Sequence, residues 1–539
     1  MPRFVLPAGA AWLLVLLLGA GAARASEPEP LAALIDALVA AKARTGLAAR
    51  CSDAEFLRRA TLDLAGRIPS RDEVRTFLAD ASPDKRTVLV DRLLASDDHV
   101  RRMRQVFHVM LMERLGDHPE WQKFLEASFA ANRPWDELVR LILNPPADDE
   151  TARGAAFWYT KRLEKYGQNP VDIPGLVRDV GRHFLGIDVQ CAQCHDHLFV
   201  DDYKQEYYHG LLAFVGQTEI RTDVKFPAVA IKPLTKKAEY MSVFVQQPQS
   251  VGPKLPGLAE LEIPQYPKGE EFAQPPDKKT KFPGVPKFNT LELLARELPQ
   301  ASNPRFGRNI ANRMWWLMMG RGLVDPLDLH HADNPPSHPE LLDALTAALA
   351  AHDFDLRWLL REMALSETYQ RASFATDAAL VAAPPESYAL ALEKPLSSEQ
   401  MLASLRQALG DGTPLVVSRT DKQWAQWQTL FDGAFANPAR EPEVGHNPTV
   451  KAALFLMHDP TVLGWLKPAE GNLTRRLLEL SDPAALAEEL YLTVLSRPPS
   501  TEEQAAVRDY LAANDDRREA RIVNLVWSLL ASNEFCGNH

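Results

Sequence analysis

The sequence predicts a mainly α fold, with two helical domains joined by a Pro-rich segment of minor β content. Three observations carry that expectation. Helix-start signals of the form Ser-x-x-Glu or Ser-x-x-Gln recur along the chain. Apolar residues follow them at helical spacing. One long stretch, residues 219–288, interrupts the pattern with prolines, lysines and short alternating runs.

The chain opens on Met1-Pro2-Arg3, continues through an apolar run from Ala8 to Gly21, and reaches Ala23-Arg24-Ala25 before Ser26. A basic start, a short apolar stretch and an A-x-A site describe a cleavable signal peptide over residues 1–25. The run is short for a membrane span of about 20 residues. The expected location is therefore outside the cytoplasm, in a periplasm or cell-envelope lumen. Cleavage removes Arg3 and Arg24 and no acid, taking the formal net charge from −11 to −13. Such an acidic protein has no electrostatic footprint for nucleic acid or for an anionic lipid surface. No later run reaches transmembrane length, so no integral span is expected after cleavage.

The first helical domain is placed at 30–218. Ser52-x-x-Glu55 and Ser70-x-x-Glu73 start helices there, and Val74, Phe77 and Leu78 supply a core face. Residues 173–185 read as a helix stopped by Gly186, and 202–214 as another, bearing Tyr203, Tyr207, Tyr208 and Phe214. The connector, 219–288, includes an alternating piece at 240–245. The second helical domain, 289–539, has starts at Ser337-x-x-Glu340, Ser397-x-x-Gln400 and Ser500-x-x-Glu503. Its stripes include Leu341, Leu342, Leu345 and Leu349, then Leu356, Leu359, Leu360 and Met363. Stretches 372–388 and 411–448 read as loops, with Trp424, Trp427 and Phe431 packing the latter. A short echo joins the ends of the chain: Arg67-Ile-Pro-Ser70-Arg-Asp-Glu73 resembles Arg497-Pro-Pro-Ser500-Thr-Glu-Glu503, the same turn used twice.

Between the helices at 173–185 and 202–214 lies Cys191-Ala-Gln-Cys194-His195-Asp196-His197. The C-x-x-C-H spacing suits covalent haem c: each thiol can bond one vinyl group, and the adjoining histidine ligates iron from below the ring. Cys191, Cys194 and His195 are thus the candidate cofactor residues. Asp196 and His197 are candidates for supporting roles, the carboxylate by accepting an imidazole N–H. His183, His209, Met314, Met318, Met319 and Met457 are the options for a sixth ligand. The same cluster could instead hold zinc or copper through Cys191, Cys194, His195 and His197. A Cys191–Cys194 redox disulfide is a further alternative. The remaining cysteines, Cys51 and Cys536, could form a long-range disulfide or stay free. No hydrolase or nucleotide-binding signature occurs. His330-His331 and the polar run 333–340 read as a rigid proline turn feeding a helix, with a small polar site at a domain junction as the alternative.

The segment from Phe184 through Cys191, Cys194, His195 and His197 to Phe199, with Tyr207-Tyr208 and Ala213-Phe214, resembles the planctomycetal cytochrome-c-like domain of unknown function. So does the upstream run from Phe56 to Glu73, with 90–96. The second half resembles the planctomycetal-specific domain that follows it, through 303–315, 320–326, 334–342, 366–370, 489–499 and 532–539. The resemblance implies an exported bacterial protein with a CxxCH motif and no established activity. It also implies an exported or redox partner and a genomic context of sulfatase-like and polysaccharide-use proteins. An oxidative role on carbohydrate follows from that context alone. Two residues depart from the family pattern: Leu198 stands where proline is common, and His209 interrupts Tyr-Tyr-Gly-Leu.

Overall fold

The computed structural model describes residues 30–539 except 166, 245, 416–421, 443–448 and 513–516. The expected signal peptide, 1–25, lies outside the described residues. The chain is mainly helical, with minor β content in two-stranded antiparallel pairs.

Local chemistry sets most helix starts. Ser70 Oγ accepts from Glu73 N at 3.2 Å and Glu73 Oε2 accepts from Ser70 N at 2.7 Å, a reciprocal box that opens the helix Arg71–Ala79. Ser397 and Ser500 open Ser398–Ala408 and Thr501–Leu511 in the same way. Ser52 makes only half a box, because Glu55 Oε1 is taken by Arg59 at 2.5 Å and by Ser373 N at 2.8 Å. The expected start at Ser337 moves by one residue. Pro339 occupies the first helical position of Pro339–Ala351, which makes His338 the cap residue.

The echo between 67–73 and 497–503 extends beyond its letters. Arg67 bonds Glu73 at 2.8 Å, the Ile68 carbonyl at 3.0 Å and Asp98 at 2.7 Å. Arg497 bonds Glu503 at 2.7 Å, the Pro498 carbonyl at 3.2 Å and Glu534 at 2.6 Å. Each distal carboxylate sits in the first turn of a helix capped by a serine, Ser96 over His99 and Ser532 over Phe535. Helix, proline turn, two helices and a serine cap thus occur twice, clamped each time by one arginine.

Buried apolar residues form two clusters. The larger runs from Leu31 to Tyr388 and adds Leu492. It unites the helices before the connector with Thr290–Glu297, Pro304–Met319, Pro339–Ala351 and Leu356–Leu365 after it. Residues of both expected units, 30–218 and 289–539, lie in this cluster. The second cluster gathers residues 396–535 with Leu62 and Ile68. The helix Asp53–Ala65 is the seam, with Phe56 and Leu57 in the larger cluster and Leu62 in the other. Buried Arg58 crosses that seam, donating to the Phe535 carbonyl at 2.9 Å and the Glu534 carbonyl at 3.1 Å.

The connector carries three hairpins: Thr218–Ile220 with Val229–Ile231, Ala238–Met241 with Pro248–Val251, and Phe272–Gln274 with Val285–Pro286. The middle one packs on the helix Gln205–Val215 and so reaches the CxxCH turn. Cys51 and Cys536 are free thiols here; burial pushes both up, Cys536 to about 11. Among the described residues no helix is long and apolar enough to cross a membrane.

Candidate functional site

The helix Ile173–Val180 does not end where α-helical geometry stops. It widens into a π turn, Gly181–Leu185, and terminates at Gly186 with φ 68°. A Cβ at Gly186 would meet His330 Cδ2 at 2.8 Å, so the stop residue must be glycine for packing as well as for φ. The chain then crosses to Asp188, whose carboxylate is held by Arg178 at 2.7 Å and accepts from Gln190 N at 2.9 Å. That acceptor precedes a short 3₁₀ turn, Cys191–Gln193.

The turn is anchored from within. Ala192 is buried, as are Val189 and Tyr203 on either side, while Cys191 and Cys194 face solvent. The backbone of Cys194 is fixed from both directions: its N–H donates to the Cys191 carbonyl at 3.5 Å, and its carbonyl accepts from Val243 N at 3.1 Å. Gln205 and His209, on the Gln205–Val215 helix, both reach the Gln193 carbonyl, at 3.4 and 3.3 Å. His209 also stacks on Tyr240 of the middle hairpin, with ring centroids 4.3 Å apart and 5° between planes. The departure from the family pattern at His209 therefore has a structural use.

The two motif histidines are used differently. His195 Nδ1 meets the Asp196 carbonyl at 2.5 Å, which makes Nδ1 the donor and leaves Nε2 with its lone pair. His197 Nδ1 accepts from Phe199 N at 3.2 Å and Val200 N at 3.0 Å, which places the ring proton on Nε2. One imidazole thus offers a ligand nitrogen and the other ties a loop. The Asp196 carboxylate makes no hydrogen bond to either ring. Its Oδ1 accepts from Gln205 N at 2.7 Å, at the start of the following helix.

Exposed apolar side chains flank the CxxCH turn. Leu198, Phe199, Met241, Val243 and Phe244 are exposed, with Phe199 at 84%. Phe244 lies 4.9 Å from the His195 ring, centroid to centroid. This many large apolar side chains beside two exposed thiols form a surface suited to cover by a flat apolar group. The hairpin half of this surface was not singled out in the sequence as part of the site. Its signal was the alternation at 240–245, which announces a strand; the strand ends at Met241, and Val243 and Phe244 lie in the turn after it.

The residues present fit haem c in three respects: accessible thiols at the right spacing, a histidine with a free Nε2, and exposed apolar side chains beside them. They fit a shared Cys/His ion less well. The donors of Cys191, Cys194, His195 and His197 do not form a close group. Among the described residues the single group of three or more such donors near enough for one ion is Glu113, Asp179 and His183. The first two of these are already engaged, Glu113 by Arg182 at 2.5 Å and Asp179 by Arg162 at 2.6 Å. His183 is buried beside Trp158 and Phe184, and burial holds its pKa below the ordinary imidazole value. Met314, Met318 and Met319 sit buried on the Pro304–Met319 helix, and Met457 is exposed on Val450–His458. The Asp333–Glu340 run is a turn held by Asn334, whose side chain donates to the Leu329 carbonyl at 3.0 Å.

Comparison with known proteins places these observations among uncharacterised families. No curated protein and no solved structure matches the chain. Residues 34–220, which include the CxxCH turn, match the family model PSCyt2, a protein of unknown function (DUF1549). Residues 292–419 match PSD1, a protein of unknown function (DUF1553). Two parts of the chain are thus similar to planctomycetal domains of unknown function, the PSCyt2 match lying ahead of the PSD1 match.

Proposed function

We propose that this is an exported c-type cytochrome-like protein that binds haem covalently at Cys191 and Cys194 and serves an electron-transfer or other redox role. The observation that carries the reading is the arrangement of His195. Its Nδ1 is satisfied by the Asp196 carbonyl, so Nε2 is the nitrogen left to ligate, next to two solvent-facing thiols. Attachment needs no outside oxidant, because each S–H adds across one vinyl double bond, sulfur taking one carbon and hydrogen the other. Bound haem would supply a one-electron redox centre. The chain's own residues do the rest. Val243 N and Gln205 hold the Cys191–Gln193 turn, His197 fixes the loop behind it, and Phe244 lies against the His195 ring. The second domain acts in this proposal as a scaffold or docking module for an exported partner. Export rests on the leader-like residues 1–25.

The test is substitution of both thiols. Full-length protein expressed with haem c maturation machinery should carry haem that resists denaturation and extraction. The variant with Cys191→Ser and Cys194→Ser should carry none. Covalent haem in the double variant, or one zinc per chain in the wild type, would replace this reading with that of a non-haem binding protein.

A further inference from the structure

A cavity of about 170 Å³ lies between the helices Asp97–Met112 and Pro304–Met319 and the chain around Lys394. It is separate from the CxxCH turn, none of whose residues line it. One wall is apolar, with Val106, Val109, Met110, Met314, Trp316 and Leu317. The other is charged, and its charges can be matched one to one. Lys394 pairs with Asp63 at 2.6 Å, and Arg182 with Glu113 at 2.5 Å. Arg313 pairs with Asp328, and Glu399 is held by Arg114 at 2.7 Å. The last carboxylate of the lining, Glu393, is exposed.

One cation is left over. Arg102 lines the cavity, is 7% exposed, and its side chain makes no hydrogen bond or ion pair with any described residue. Its Nε is buried without a partner. The nearby carboxylates that act on it, Asp63 and Glu399, are already engaged by Lys394 and Arg114. A buried guanidinium without a partner is costly and seldom retained without use. The chain also makes room for it. Gly66 has φ 75°, and a Cβ there would stand 2.9 Å from Arg102 Cδ. Across the cavity, Arg182 is delivered by the π turn Gly181–Leu185, a distortion that recurs at functional sites.

We propose that this cavity binds a small organic carboxylate, its apolar body against the Met110, Met314 and Trp316 wall and its carboxylate taken by Arg102. A guanidinium presents a planar fork that matches a carboxylate. A cavity of about 150 Å³ accommodates benzene, which sets the ligand's size. An inorganic anion would satisfy Arg102 but leave the apolar wall bare. The proposal does not depend on haem.

Benzoate is a probe of suitable size and charge, and benzamide is its uncharged match. Each is titrated into the purified full-length chain while tryptophan fluorescence and the melting temperature are followed. Benzoate should bind saturably, and benzamide more weakly by roughly 10- to 100-fold, the share of a charge-assisted pair. Arg102→Met should abolish that preference and melt at or above wild type without ligand, because an unpaired buried charge has been removed. Val106→Trp, which fills the apolar half and keeps Arg102, should bind neither probe. Absence of a saturable benzoate response, equal binding of benzamide, or wild-type benzoate affinity in either variant would overturn the proposal. So would a large loss of stability in Arg102→Met, which would make the guanidinium a structural element.

Discussion

The two motif histidines should separate cleanly under substitution, and the structure gives a magnitude for each. His197→Ala removes one acceptor that takes hydrogen bonds from Phe199 N and Val200 N. The first amide is exposed and can turn to water, whereas the second is partly buried beside Val200, itself 9% exposed. A net hydrogen bond is worth about 1 kcal/mol, so the loop should lose about 1–2 kcal/mol. The thiols and His195 are untouched, and covalent haem should be retained. His195→Ala removes no loop bond except the contact with the Asp196 carbonyl, and should cost less stability than His197→Ala. Its effect should fall on the cofactor instead, with an altered iron spectrum or loss of haem. The assay pairs absorption spectra, native and denatured, with urea melts of both variants. Equal loss of bound metal in the two, without any haem signal, would refute the reasoning and favour a site in which both imidazoles ligate one ion.

Further outcomes follow from the packing. His99 is buried and pushed down to about 4 by desolvation, with its Nδ1 bonded to the Leu64 carbonyl at 2.9 Å. The unfolded histidine takes its proton near pH 6.5 and the folded one only near 4. The associated stability is therefore complete above pH 6.5 and is lost as pH falls toward 4, by about 3 kcal/mol. Urea midpoints measured across that window should decline, and His99→Gln should flatten the decline; an unchanged slope contradicts the assignment. Glu489 ties the second core to the first, accepting from Arg71 and Arg476 at 3.0 Å each and from Arg75 at 3.3 Å. Because those arginines are partly exposed, Glu489→Ala should cost about 2 kcal/mol, less than a fully buried pair, as read from chemical denaturation. Trypsin should cut the connector at exposed Lys236, Lys268 or Lys278, and the fragments should stay associated through the shared core. Cleavage confined to 50–215 or 300–370 would move the boundary.

What was legible in the sequence was local. Ser70, Ser397 and Ser500 announce their helices because the cap and its partner lie three residues apart. Ser337 misleads by one position because Pro339 imposes its own φ on the helix start. The helix expected at 173–185 is present with its stop at Gly186, but its end is a π turn from which Arg182 reaches Glu113 and Asp328. No short window contains those partners. The CxxCH turn was visible as a motif, whereas the apolar residues at 241–244 beside it come from the end of one hairpin strand and the turn that follows. The carboxylate cavity was least legible of all. Its lining runs from Asp63 to Asn538, and Arg102 is conspicuous only once its neighbours are seen to be paired with others.

The most direct test of the central claim is the absorption spectrum of the wild-type chain, matured in a periplasm that attaches haem c and then denatured. The account predicts a Soret band that survives denaturation and acid extraction, with the colour residing on the fragment that contains Cys191, Cys194 and His195 after cleavage of the connector. A colourless protein, or colour that leaves the polypeptide completely on extraction, would contradict it.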